Sequence, residues 1–170
     1  MIEHRYEISM VWNGNRGTGT SGYKDYGREH TLTATGKPVI EGSADRAFFG
    51  EADRWNPEEL LLAALSQCHM LSYLAEAARS GVIVTAYRDR AEGIMEQTPD
   101  GGGHFTRVIL RPRITVADRD HIEKATDLHA VAARRCFIAA SVNFPVEHDP
   151  ETLWWDAGNT ERVASEPLGP

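Results

Sequence analysis

Cysteine is scarce in this chain: Cys68 and Cys136 are the only two thiols among 170 residues. So few exclude a disulfide framework and leave either a redox pair or small core hydrophobes. Basic residues are also in the minority, with 18 Lys and Arg against 25 Asp and Glu, a net charge of -7 and a pI near 5.5. That balance argues against a nucleic-acid surface, which needs clustered Lys and Arg. No basic segment followed by an apolar stretch opens the sequence at Met1-Ile2-Glu3-His4-Arg5-Tyr6. No secretory signal is read there, so a cytoplasmic, reducing setting is expected, in which a lasting structural disulfide is unusual. Metal motifs are missing too: there is no His-Glu-x-x-His and no Cys-x-x-Cys, and two cysteines are too few for a structural zinc site. The glycines at 101–103 are followed by no Lys-Ser/Thr and read as a hairpin tip. Neither a metal nor an organic cofactor is expected.

What is present fits an ordinary globular protein, 41% hydrophobic and 25% charged. The length suits one domain, residues 1–150, with a loosely ordered acidic extension over 151–170 whose Trp154-Trp155 pair should cover something apolar. Tyr6 to Trp12 reads as a strand running into the turn Asn13–Gly17. Tyr23 to Thr35 reads as a second strand, and Val39-Ile40 as a short third after Gly36-Lys37-Pro38. Glu41 to Trp55 has no periodicity and reads as a long irregular loop of the kind that often carries function.

Asn56-Pro57-Glu58-Glu59 is the strongest local signal: an N-cap, a proline at the first helical position and a glutamate placed to close a capping box. A long helix is expected from there to Gly81, apolar on nearly every side from Leu60 to Ala75, and therefore packed between a sheet and a further partner such as a second subunit. Val82 to Tyr87 and Ala91 to Gln97 read as strands, and Phe105 to Val116 as another. A second helix is expected over Asp120 to Ala140, at least His121 to Arg135, carrying Cys136. Ser141 to Val146 reads as a final edge strand limited by Pro145.

A cysteine on an apolar helix is by default a packing residue. The company of Cys68 favours chemistry: a capped helix start, an arginine-bearing loop upstream and a second helix presenting the other thiol. A thiolate needs a cation or a helix N-terminus to lower its pKa, and a sulfenic acid needs a second thiol to escape over-oxidation. His69 faces about 100° away from Cys68 and reads as a satisfied interior or interface histidine.

Asn56-Pro57-Glu58-Glu59-Leu60 through Cys68, together with Cys136-Phe137-Ile138 followed by Ser141-Val142, resembles the OsmC/Ohr family of thiol-dependent peroxidases over about residues 6 to 148. The resemblance implies an α+β fold built as an intertwined homodimer: a β-meander, a long buried central helix, a second sheet segment and a second helix. It implies a peroxidase of organic hydroperoxides, and of hydrogen peroxide as well, in which Cys68 attacks the peroxide and Cys136 resolves the sulfenic acid as a disulfide. A dithiol or lipoylated protein would be the reductant. Glu58 carries over as the carboxylate that orients a catalytic arginine, with Arg46 as the nearest match and Arg16, Arg28 and Arg54 as the alternatives. Ten residues of straight helix rise about 15 Å, so Glu58 and Cys68 of one such helix cannot touch. Either the helix start bends, or the glutamate near a given Cys68 comes from a second chain; a plain first-turn carboxylate favoured by the helix dipole remains the simpler role. The alternative function is a non-redox module of the same fold that binds a small apolar ligand, with both cysteines as packing.

Overall fold

The computed structural model describes residues 2–154, so what was expected of Trp155 and the residues after it falls outside the description. Two compact units are formed, one up to Leu61 and one from Leu62 onward.

In the first unit, β1 (Ser9–Trp12), β2 (His30–Thr33) and β3 (Ile40–Gly42) form an antiparallel sheet in that order, in register through Trp12 opposite His30 and His30 opposite Gly42. The second strand is much shorter than the run Tyr23 to Thr35 suggests. The reason lies in Arg28, whose guanidinium donates to the carbonyls of Tyr26 and Tyr23 at 2.5 and 2.6 Å and lies over both tyrosine rings. Those bonds give the local backbone an alternative to a ladder. The chain between β1 and β2 closes tightly at Gly14, where an added Cβ would stand 2.0 Å from the Gly27 carbonyl oxygen.

The loop before the long helix is tied down at both ends. Ser43 N–H donates to the Trp55 carbonyl at 2.9 Å and Trp55 N–H to that of Glu41 at 3.2 Å. Between them, Arg46–Phe48 forms a 3-10 turn capped by Asp45, whose Oδ1 accepts from Ala47 N–H at 2.7 Å.

Helix α1 (Pro57–Arg79) begins and ends where the sequence signals place it. Asn56 Oδ1 accepts from Glu59 N–H at 2.7 Å and Glu59 Oε2 accepts from Asn56 N–H at 3.2 Å, a complete capping box. Gly81, at φ 72°, lets Val82 N–H turn back to the Ala77 carbonyl at 2.9 Å. Burial falls on one face only: Leu65, His69, Tyr73, Glu76 and Ala77 are buried, whereas Leu71 is 60% exposed in the single chain.

The second unit contains β4 (Val84–Asp89), β5 (Glu92–Gln97), β6 (Gly103–Leu110), β7 (Pro112–Val116), helix α2 (Ile122–Arg135), β8 (Val146–His148) and β9 (Glu151–Trp154). The strands form two sheets, ordered β4-β7-β9 and β5-β6-β8. The expected single strand Phe105 to Val116 is broken at Arg111. Arg111 N–H is diverted to Asp89 Oδ1 at 2.8 Å and Pro112 has no N–H to give, so β6 pairs with β5 and β7 with β4.

Helix α2 is shorter than Asp120 to Ala140. Arg119–His121 is a 3-10 turn, and the backbone turns extended at Cys136, so that cysteine follows the helix instead of riding on it. The edge strand expected over Ser141 to Val146 lies after Pro145 instead: the Pro145 carbonyl accepts from Val108 N–H at 3.0 Å, and β8 then runs parallel to β6. The tail expected to be loose from residue 151 instead starts with β9, parallel to β7, and Arg119 sits over the Trp154 ring. The core joins α1 and α2 to β7 through Tyr73, Ala77, Ile114, Val116, Ala125, Leu128 and Ala132. No helix among the described residues is long and apolar enough to cross a membrane.

Candidate functional site

Cys68, half-buried, stands midway along α1; Cys136, 2% exposed, is the first residue beyond α2. Core packing of the two helices brings the thiols together. Burial pushes the Cys136 thiol up to about 11, and its hydrogen bond to Cys68 pushes the same way. The Ala139 N–H, donating to Cys136 Sγ at 3.4 Å, works against that rise without cancelling it. Cys136 is therefore held as a protonated thiol beside Cys68. Neither cysteine is in a disulfide.

One residue further along α1 the chemistry changes. His69 and His129 are buried, and His69 Nε2 meets His129 Nδ1 at 3.0 Å with the rings stacked. His148, from β8, lies with its ring centroid 4.2 Å from that of His69, and Tyr73 stacks on His129 at 4.1 Å. His69 Nδ1, His129 Nε2, His148 Nε2 and the Tyr87 hydroxyl are buried with no hydrogen-bond partner among the described residues. Burial, with the neighbouring imidazoles adding to it, lowers His69 to about 3 and His129 to about 4. For His148 burial lowers the pKa while Asp89 pulls it upward. Asp89 is otherwise occupied, accepting from the Ser66 hydroxyl at 2.5 Å and from Arg111 N–H. His69 is thus interior, as its position on the helix implies, but only half satisfied. His129 and His148 escape a reading that tests histidines for metal spacing alone; the usable signal was that His129 falls among Ala125, Leu128 and Ala132 on the buried stripe of α2. Among the described residues no three ligand-type side chains are disposed to hold a metal ion.

The remaining predicted residues lie in the first unit. Glu58, in the first turn of α1, has a buried Oε2 with no donor among the described residues. Arg46 and Arg16 are exposed and make no ion pair among the described residues. Arg28 is committed to the Tyr23 and Tyr26 carbonyls and to the Tyr23, Tyr26 and Phe49 rings. Arg54 pairs with Glu41 at 3.4 Å and Glu51 at 3.3 Å.

Three three-stranded sheets, a long helix bearing Cys68 and a second helix followed by Cys136 make a mixed α+β fold with two neighbouring thiols. A family model described as OsmC-like protein matches residues 50–151, more than half of the chain, and the chain belongs to that family. A solved OsmC-like protein of unknown function from Vibrio cholerae O1 biovar eltor is 28% identical, with a TM-score of 0.78 over 87% of this chain and 99% of that one. An organic hydroperoxide resistance protein from Elizabethkingia anophelis shares the fold at 19% identity, with a TM-score of 0.63 over 91% of this chain and 100% of its own. Among curated proteins, the uncharacterized protein YmaD of Bacillus subtilis (strain 168) is 26% identical over 150 residues, 86% of this chain and 92% of that protein.

Proposed function

We propose that this chain is a cysteine peroxidase that reduces organic hydroperoxides, and hydrogen peroxide as a smaller substrate, with Cys68 as the attacking sulfur and Cys136 as the resolving thiol. The observation that carries this reading is the interaction between Cys68, on α1, and Cys136, the residue that follows α2. Membership of the OsmC-like family, and fold neighbours named organic hydroperoxide resistance proteins, support it.

The Cys68 thiolate attacks the distal peroxide oxygen, the O–O bond breaks, and the alcohol leaves after taking up a proton. Cys68 is then a sulfenic acid. The Cys136 sulfur displaces the sulfenic oxygen, which departs as water with the Cys136 proton, and the Cys68–Cys136 disulfide forms. A dithiol, in this proposal a lipoylated protein, restores both thiols and is itself oxidised to a disulfide. The high pKa of Cys136 suits the division of labour: a thiol that keeps its proton does not compete for peroxide, because the thiolate is the nucleophile.

In the same proposal Arg46 activates Cys68 and Glu58 orients it, the two being supplied by a second copy of the chain in a homodimer. In favour stand Glu58 Oε2 and Arg46, neither partnered among the described residues, and the engagement of Arg28 and Arg54 elsewhere. The exposed Leu71, one turn beyond Cys68, and the exposed Met10 and Val11 on β1 favour a covering partner. Dilution should unfold such a dimer instead of releasing native monomers; a folded monomer by light scattering removes the second chain from the site.

Cumene hydroperoxide tests the reaction. The wild-type chain should lose two titratable thiols and recover them with dihydrolipoamide. Cys68→Ser should lose peroxide turnover by roughly a thousandfold or more, and Cys136→Ser should react once and then accumulate as sulfenic or sulfinic acid. Wild-type turnover by Cys68→Ser ends the peroxidase reading and leaves the apolar-ligand module.

A further inference from the structure

Three bonded links join α1 to α2: His69 with His129, the Tyr73 hydroxyl with the Ala125 carbonyl, and Glu76 with Arg135. Only the last reaches the residue next to Cys136. Glu76 is a carboxylate whose side chain is 8% exposed, set on the same helix as Cys68 and eight residues beyond it. Its Oε1 accepts from Arg135 Nη1 at 2.5 Å and also from Arg79 Nη1. Both arginines are more than half exposed at their side chains, 57% for Arg135 and 64% for Arg79.

Arg135 is where α2 stops, and Cys136 is where the backbone turns extended. At that turn the Cys136 carbonyl accepts from Ala140 N–H at 3.1 Å and its Sγ from Ala139 N–H at 3.4 Å, while Cys136 N–H makes a long bond of 3.4 Å to the Ala133 carbonyl. The Glu76–Arg135 bond ties the last residue of α2, next to that turn, to the helix that carries Cys68. Eight residues of helix place Glu76 about 12 Å from Cys68 along the axis. The two thiols and the ion pair form the two ends of one short bracket.

We propose that Glu76, acting through Arg135, is a positioning residue for the thiol pair, and that it sets how readily Cys68 and Cys136 close into a disulfide. The inference rests on the redox reading of the two cysteines but not on peroxide chemistry. Arg79 supplies the internal control. It binds the same carboxylate oxygen, is equally exposed, and lies on α1 with no link to α2. Removing either arginine leaves the buried Glu76 with one cationic partner, so the fold survives both changes, whereas removing Glu76 itself would strand no charge but would release both arginines.

The test is equilibration of the full chain in glutathione buffers, with the disulfide counted by thiol titration. Closing the pair consumes one oxidised glutathione and yields two reduced ones, so the ratio reports the equilibrium directly. Arg135→Ala should shift it about tenfold toward the dithiol, which is about 30 mV for a two-electron couple. Arg79→Ala should leave it unchanged, and Arg135→Lys should fall between wild type and Arg135→Ala, because an ammonium keeps the charge but not the planar fork. An unshifted Arg135→Ala overturns the proposal. So does an equal shift in Arg79→Ala, which would mean that Glu76 matters to stability and not to the thiols. A wild-type chain that closes in glutathione yet consumes no cumene hydroperoxide would end the peroxidase reading and leave this one standing.

Discussion

Cys68 and His69 are consecutive residues on one helix, turned about 100° apart, and they meet opposite kinds of surroundings. Cys68 meets a thiol. Sulfur is a weak donor and acceptor, its burial is cheap, and the pair needs no further partner to be stable as it stands. His69 meets two more imidazoles, which adjoin Tyr73 and, beyond it, Tyr87, in a space that leaves three ring nitrogens and one hydroxyl without partners among the described residues. Each such group costs desolvation that is not returned, on the order of 1–3 kcal/mol. One side of the helix carries the proposed chemistry; the other carries imidazoles whose protonation burial opposes. Adjacent residues can therefore be assigned different work from their neighbours alone, before any substrate is considered.

The largest expected effect sets the two sides against each other in turnover. The paired change of His69→Leu and His129→Leu removes both partners of the central imidazole bond, which is close to neutral for stability when shape is kept. It should leave cumene hydroperoxide consumption within about threefold of wild type, against the roughly thousandfold loss expected of Cys68→Ser. If the leucine pair also abolished turnover in a folded protein, the imidazoles would belong to the reaction and the contrast would fail.

Acid should then separate the two sides thermodynamically. His69 and His129 titrate at about 3 and about 4 in the folded chain and near 6.5 when unfolded. Below 6.5 the unfolded chain binds more protons, so stability is full above that pH and falls as the pH drops from there toward 4 and 3. The slope approaches about 1.4 kcal/mol per pH unit for each histidine once the pH is well below 6.5. Asp89 is the one carboxylate acting on this stack, and its pull on His148 opposes the trend there. Denaturant unfolding at pH 7.5 and 5 checks this: the wild type should lose stability over that interval and the leucine pair should lose much less. Equal losses would place the acid sensitivity elsewhere.

Much of this arrangement was legible in residues whose signals are local. The capping box at Asn56 and Glu59 and the left-handed Gly81 fix both ends of α1 without reference to anything distant. The pairing of Cys68 with Cys136 rests on the resemblance to the OsmC/Ohr family and not on any local signal. What was not legible depends on side chains reaching far along the sequence. The break at Arg111 is made by Asp89, 22 residues earlier, and the short β2 by Arg28 folding back on its own tyrosines. The histidine stack draws on α1, α2 and β8 at once, and no spacing rule links positions 69, 129 and 148. Helix α2 ends at Arg135, the nearer of the two ends the sequence suggests, where the Cys136 carbonyl and Sγ take the Ala140 and Ala139 N–H groups; the pairing of Arg135 with Glu76, 59 residues away, has no local signal.

The smallest effect probes the link that lies between the two sides. Tyr73 is fully buried on α1, stacks on His129, and donates its hydroxyl to the Ala125 carbonyl at 3.0 Å. Tyr73→Phe keeps the ring and its stacking and deletes only that hydrogen bond. The Ala125 carbonyl then loses a buried donor, so the expected cost is about 1 kcal/mol in denaturant unfolding. Because the hydroxyl touches neither sulfur nor imidazole, the change should alter neither the acid slope nor the peroxide rate. A Tyr73→Phe variant of unchanged stability but altered acid slope would show instead that the phenol governs the histidine stack, and that the two sides of α1 are not independent.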